Sequence, residues 1–107
     1  MAVIHDVTQR KAQAAIEVIA RRARVRAVYL FGSQVEGTAD RFSDIDIAAF
    51  VEGAAKWDLQ QRVHVSVEAR EKVGDDIELH FLPAESLENA PRASFAAYVL
   101  RHGVRIL

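Results

Sequence analysis

The chain has 107 residues, of which 50% are hydrophobic and 27% charged, and it carries a formal net charge of −1 with no cysteine. This length predicts one domain with a single core, and the cysteine count excludes disulfides and thiolate metal sites. The charge argues against a protein that holds a nucleic acid by its backbone, because such proteins normally carry a basic excess. No signal peptide or membrane span is recognisable, which leaves the cytoplasm as the default expectation.

The first predicted element is a helix from Asp6 to about Ala23. Asp6 and Gln9 have the spacing of a capping box, and the apolar residues that follow recur at helical spacing. Its predicted buried stripe consists of Ala12, Ala15, Ile16, Ile19 and Ala23. Arg21, Arg22 and Arg24 gather at the C-terminal end, where cations interact favourably with the helix dipole; contact with phosphates or with an acidic partner is the alternative.

The stretch from Val25 to Val51 predicts a strand, a sharp turn and a second strand. Val25 to Phe31 is rich in Val and aromatic residues, and Gly32 allows the backbone to turn and a ligand to come close. A short helix is predicted from Ser33 to Glu36, and a loop from Gly37 to Ser43 leads to a strand over Asp44 to Val51. Ser33 lies where unpaired N–H groups and the helix dipole favour an anion such as a phosphate, although it is equally a plain helix N-cap.

The second strand opens with two carboxylates. Successive side chains of a strand point to opposite faces, so Asp44 and Asp46 share one face while Ile45 and Ile47 point into the core. Two adjacent carboxylates repel each other and add nothing to a core, but together they suit Mg²⁺, which completes its shell with water and substrate phosphates. A phosphate-binding turn before such a pair is typical of a nucleoside triphosphate site; a solvated strand start is the alternative.

The second half of the chain predicts a helix, a strand and a final helix. The helix runs from about Lys56 to Lys72 with Leu59, Val63 and Val67 on its buried face, although residues 63–67 also read as a strand. An alternating strand over Asp76 to Leu82 ends at Pro83, and it carries Asp76, Glu78 and His80 on one face. A helix from about Ala93 to His102 and an edge strand over Val104 to Leu107 close the chain.

The order Gly32-Ser33, ten intervening residues and Asp44-Ile45-Asp46 resembles the signature of the DNA polymerase β-like nucleotidyltransferase superfamily. The small size, Gly37 and the run Ser43-Asp44-Ile45-Asp46-Ile47 resemble its minimal nucleotidyltransferase branch. The expected fold is an α/β two-layer domain, with a short mixed sheet that carries the site and helices packed mainly on the other face.

The resemblance implies a reaction and a set of site residues. Gly32 and Ser33 would hold the triphosphate of ATP, and Asp44, Asp46 and a third carboxylate on a later strand would hold Mg²⁺, with two metals clamping the attacking and leaving oxygens. Glu78 is predicted as that third carboxylate, although the family usually has Asp there; a solvated strand residue is the alternative. His80 is left outside the predicted site, because a lone histidine on a strand is more often structural.

The resemblance also implies a partner. Minimal nucleotidyltransferases are typically antitoxins that adenylylate a tyrosine of a HEPN-domain toxin, and relatives that act on templates carry domains for which this chain has no room. A binding module that neutralises its partner by contact is the second hypothesis, with Phe95 and Tyr98 as an interface, although these residues are expected in the core. Transfer to a small molecule ranks third.

Overall fold

The computed structural model describes residues 4–38 and 44–107. Within these ranges the chain alternates between helices and short strands, and two short 3₁₀ helices, Ala54–Lys56 and Ala84–Leu87, join neighbouring elements. The helices are α1 (Asp6–Ala20), α2 (Ser33–Glu36), α3 (Leu59–Val73) and α4 (Phe95–His102). The strands are β1 (Val25–Phe31), β2 (Ile45–Val51), β3 (Ile77–Pro83) and β4 (Val104–Arg105).

The four strands form one mixed sheet in the order β3-β2-β1-β4. β1 runs antiparallel to both β2 and β4, whereas β2 and β3 are parallel and α3 supplies the crossover between them. The short β4 lies at one edge of the sheet, as predicted, and β3 lies at the other. The predicted mixed sheet is therefore confirmed.

Alternation along β2 divides the core into two layers. Ile45, Ile47 and Val51 face the larger layer, which α1 and α3 cover. Ala48 and Phe50 face the opposite side, where they pack with Phe31 of β1 and with residues of α4. The two long helices thus share one face of the sheet, and the shorter α4 covers part of the face that also bears the even-numbered residue Asp46.

The predicted capping box of α1 is wrong. His5 is the N-cap, no side chain caps the helix, and the Gln9 side chain donates to the Ile4 carbonyl instead. Asp6 is the first helical residue, where its negative charge still interacts favourably with the helix dipole. The helix ends at Ala20 rather than near Ala23, but its predicted stripe through the middle is confirmed as buried: Ala12, Ala15, Ile16 and Ile19.

The arginines after α1 lie far from the predicted phosphate site. They precede β1, whereas Gly32 follows it, and a strand of this length separates the two ends by about 20 Å. Arg22 pairs with Glu68 of α3, and this contact lowers the pKa of the Glu68 carboxyl. Arg22 therefore connects the end of α1 to α3, and the position of the three arginines gives no support to a contact with phosphates.

The predicted buried face of α3 is also wrong. Leu59, Val63 and Val67 are 77%, 51% and 47% exposed. Val65 and Ala69 are the buried residues instead. Apolar residues form two stripes on this helix, and either stripe fits the helical spacing. Packing against α1 and β3 buries the stripe that contains Val65 and Ala69. The helix itself begins with a capping box that sequence reading missed, in which Asp58 and Gln61 bond to each other's backbone N–H.

The C-terminal part agrees with the prediction except in its details. β3 includes Pro83, and α4 starts at Phe95, with the Ser94 hydroxyl accepting from the Ala97 N–H at 3.1 Å. Phe95 and Tyr98 are 41% and 40% exposed, so neither is a core residue. Among the described residues, no helix combines the length and the apolar character needed to cross a membrane.

Candidate active site

The site begins at the turn after β1. Gly32 adopts φ +77° and ψ −150°, a conformation that L side chains rarely adopt. The register of β1 and β2 pairs Phe31 with Asp46, so Gly32 lies against the Asp46 side chain. A Cβ atom at position 32 would overlap the Asp46 Oδ2 atom. Backbone conformation and space therefore both require glycine at this position.

Ser33 is the first residue of α2, and Gly32 rather than Ser33 is its N-cap. The N–H groups of Val35 and Glu36 donate to the Gly32 carbonyl at 3.0 Å, which closes the first turn. The N–H groups of Ser33 and Gln34 precede these bonds and have no acceptor within the helix. The half-buried Ser33 hydroxyl and these N–H groups are donors that suit an anionic ligand.

Two carboxylates face each other across β2 and β3. The parallel register pairs Asp46 with Glu78, and both side chains project from the same face of the sheet. Carboxylate oxygens of the two residues and a nitrogen of His80 all lie within 4.8 Å of one another. The structure therefore brings together two of the three predicted carboxylates and adds a histidine that the prediction left out.

Asp44 stands at the rim of this group. It is exposed and immediately precedes β2, and the residues before it, including Ser43 of the predicted motif, lie outside the described ranges. Its carboxylate does not belong to the close group of Asp46, Glu78 and His80. Its charge nevertheless contributes to the raised pKa of Asp46.

Burial and the neighbouring carboxylates change the acidity of Asp46. Burial raises its pKa to about 6, and the neighbouring charges of Glu78 and then Asp44 act in the same direction. Such a shift means that burial and the neighbouring carboxylates disfavour the negative charge of Asp46. Hard carboxylate oxygens at this spacing fit a divalent cation, and its charge would relieve the repulsion.

His80 sits beside the two carboxylates between two aromatic rings. Its ring contacts those of Phe31 and Phe95 edge-on or tilted, with 5.3 Å between ring centroids in each case. Its Nε2 atom lies 3.7 Å from Glu78 Oε1. Burial lowers the pKa of His80, and the charge of Glu78 opposes this only in part, so the imidazole is neutral at pH 7. The alternation of residues 76, 78 and 80 was the sequence signal that could have placed it here.

Comparisons with known proteins agree with this fold. The family model for "Polymerase beta, Nucleotidyltransferase" matches residues 13–107. The crystal structure of a toxin–antitoxin with AMP-PNP is similar, with a TM-score of 0.62 and 24% identity over 88% of this chain and 70% of that chain. A Sulfolobus solfataricus protein described as a candidate nucleotidyltransferase gives a TM-score of 0.54 and 19% identity over 78% and 76% of the two chains.

A search of curated protein sequences finds no significant match. At these identities the two solved structures show a shared fold, whereas the family model covers almost the whole sequence, including the glycine turn and both carboxylate strands. The chain therefore belongs to the polymerase β nucleotidyltransferase family.

Proposed function

We propose that this chain transfers AMP from ATP to a hydroxyl group of a partner protein, in a reaction that depends on a divalent cation such as Mg²⁺. The observation that carries the proposal is the pairing of Asp46 with Glu78 beside the Gly32 turn. Hydrogen-bond donors for a phosphate and carboxylates for a metal ion then lie close together at one end of the sheet, as nucleotidyl transfer requires.

Each predicted site residue has a role in this proposal. The backbone at Gly32 and the hydroxyl and N–H of Ser33 bind the triphosphate. Asp44, Asp46 and Glu78 hold the cation, with Asp44 contributing from the exposed rim. When bound, the metal supplies positive charge at the oxygens where negative charge develops during transfer.

The proposed transfer is a single displacement at the α-phosphorus of ATP. The oxygen of the acceptor hydroxyl forms a bond to the α-phosphorus of ATP, and the bond from that phosphorus to the oxygen bridging to the β-phosphate breaks. Pyrophosphate leaves with that oxygen, and the hydroxyl proton passes to a carboxylate of the site.

The partner proposed here is a toxin of the HEPN class, with this chain as its antitoxin. Support comes from the structural similarity to a toxin–antitoxin with AMP-PNP and from the resemblance of the motif to the minimal nucleotidyltransferase branch. The net charge of −1 favours a protein acceptor over a nucleic acid. The reaction would take place in the cytoplasm, where ATP is available.

A second candidate function is neutralisation of the partner by contact alone. The exposed apolar residues Leu59, Val63 and Val67 favour it, because an apolar stripe on a helix surface is suited to a protein interface. Glu78 is one methylene longer than the aspartate usual in the family, which is the other feature in its favour. The register that brings Glu78 to Asp46 supports the catalytic proposal instead.

Mass spectrometry of a candidate HEPN-type partner protein tests the proposal. The partner is incubated with ATP, Mg²⁺ and either the wild type or an Asp44→Ala/Asp46→Ala variant. The proposal predicts an added AMP mass that disappears with the variant. An unmodified partner that forms a stable complex with both versions would reject AMP transfer to that partner and leave neutralisation by contact as the remaining function.

A further inference from the structure

We propose that His80 is a nitrogen ligand of the cation held by Asp46 and Glu78, and that this ligand makes the site prefer Mn²⁺ to Mg²⁺. The inference deepens the proposed function, because it takes from it the presence of a divalent cation at this pair. It does not depend on the acceptor or on the identity of the partner.

The placement of His80 follows from strand geometry. Side chains at 78 and 80 project from the same face of β3, and the register sets His80 opposite Ala48 of β2. Ala48 has a small side chain, and the His80 imidazole lies beside the carboxylates, with Nε2 3.7 Å from Glu78 Oε1. The backbone therefore brings the ring to the edge of the Asp46–Glu78 pair.

The orientation of the ring is held by its aromatic neighbours. Phe31 comes from β1 and Phe95 from α4, so the imidazole is contacted from two different elements. Its Nε2 atom lies 3.7 Å from Glu78 Oε1, which is too long for a hydrogen bond. Among the described residues, no hydrogen bond engages either ring nitrogen of His80. Aromatic packing alone would be satisfied by phenylalanine and gives no reason for a nitrogen here.

The spacing of the three side chains suits a shared ion. Their ligand atoms lie within 4.8 Å of one another. Ligand atoms around one six-coordinate cation are separated by about 3 Å when adjacent and by about 4.3 Å when opposite. Small side-chain rotations therefore bring all three groups to one ion, and the sheet backbone need not move.

The chemistry of this ligand set determines the preferred ion. Mg²⁺ is bound mainly by oxygen, whereas imidazole nitrogen is a better ligand for first-row transition ions. Mn²⁺ combines the preference of Mg²⁺ for carboxylate and phosphate oxygen with acceptance of a nitrogen ligand. A site with two carboxylates and one imidazole therefore selects Mn²⁺, while the predicted all-carboxylate site of Asp44, Asp46 and Glu78 would favour Mg²⁺.

Electron–nuclear double resonance of bound Mn²⁺ tests the inference directly. The full chain is prepared with ¹⁵N-labelled histidine and loaded with Mn²⁺ and α,β-methylene-ATP, an analogue that cannot donate AMP. The inference predicts a ¹⁵N coupling to the ion, which can arise only from a protein histidine. Bound Mn²⁺ without this coupling, or no binding of Mn²⁺, would overturn it.

Two variants assign the coupling. His80→Phe keeps the aromatic contacts with Phe31 and Phe95 but has no ring nitrogen; His64→Phe changes an exposed histidine of α3. The coupling should disappear only in His80→Phe, and Mn²⁺ binding should weaken by about tenfold while Mg²⁺ binding changes less than about twofold. Loss of the coupling in His64→Phe alone would contradict the assignment.

The outcome is separable from that of the proposed function. A ¹⁵N coupling from His80 in a chain that transfers no AMP would leave the metal ligand standing and reject the transferase. AMP transfer with no such coupling would reject the ligand and leave the transferase standing. Because the wild-type spectrum is decisive, the test does not depend on the folding of either variant.

Discussion

The Asp46 carboxylate occupies the space that a side chain at position 32 would need. This contact joins the turn after β1 to the acidic strand β2, because the register of the two strands places Phe31 opposite Asp46. The two halves of the family motif are thus one site in space, although ten residues separate Ser33 from Asp44 in the chain.

Replacement of Gly32 by alanine should therefore destabilise the fold for two reasons. The positive φ of +77° disfavours any Cβ, and the added atom overlaps Asp46 Oδ2. We expect the free energy of unfolding to fall by about 2–4 kcal/mol in Gly32→Ala. Gly53→Ala is the matched control, because Gly53 has φ +79° but no neighbouring atom within 4 Å, and it should lose only about 1 kcal/mol. Equal losses in urea titrations of the two variants would contradict the contact with Asp46.

The raised pKa of Asp46 predicts a pH dependence of stability in the metal-free protein. The folded-state pKa is about 6 against a model value of 3.8, so between these values the folded state binds more protons than the unfolded state. Stability should therefore fall as pH rises from about 4 to about 6. Asp46→Asn removes this penalty and should be more stable than the wild type at pH 7.5 by about 1 kcal/mol, allowing for solvent screening, and nearly equal to it at pH 4. Denaturant titrations in EDTA at both pH values measure the difference in stability between Asp46→Asn and the wild type. A difference of the same size at pH 4 and pH 7.5 would contradict the raised pKa of Asp46.

Glu78 should be required for transfer but not for folding. Glu78→Gln keeps the size of the side chain and removes its charge, so AMP transfer should fall by about a hundredfold or more. Because the substitution also removes repulsion with Asp46, the metal-free variant should unfold no more easily than the wild type. Glu85→Gln, at an exposed residue of the 3₁₀ helix Ala84–Leu87, is the control and should transfer AMP at the wild-type rate. Full activity of Glu78→Gln would show that the third carboxylate lies elsewhere.

The two apolar stripes of α3 should differ sharply in their effect on stability. Val65 is buried and Val63 is 51% exposed. Val65→Ala should cost about 2 kcal/mol through lost burial and a small cavity, whereas Val63→Ala should change stability by no more than about 0.5 kcal/mol. Thermal unfolding of the two variants compares them under the same conditions. A larger loss for Val63→Ala would restore the buried face that the sequence pattern suggested.

Several features of this fold that depend on residues close together in the chain were predicted correctly from the sequence. β1 and α2 have the predicted bounds. The run of β-branched and aromatic residues in β1 ends at Gly32, and a glycine at this position indicates the turn that separates the strand from the helix. The carboxylate face of β2 and β3 followed from alternation alone.

Features that depend on distant contacts could not be predicted in this way. The choice between the two stripes of α3 depends on packing against α1, and the place of His80 depends on the register of β2 with β3 and on Phe95 of α4. The capping of α1 was mispredicted for a local reason, since the Asp6-x-x-Gln9 pattern occurs one residue inside the helix. Asp58 and Gln61 form the box that the pattern describes.

The most direct test of nucleotidyl transfer by this site is to label the α- and γ-phosphates of ATP in separate experiments. The proposed HEPN-type partner is incubated with this chain, a divalent cation and ATP labelled with ³²P at either the α- or the γ-phosphate. The account predicts that the partner acquires label from α-labelled ATP only, and that Asp46→Asn abolishes the transfer. Label from γ-labelled ATP, or no label from either with a folded protein and an intact complex, would contradict nucleotidyl transfer by this site.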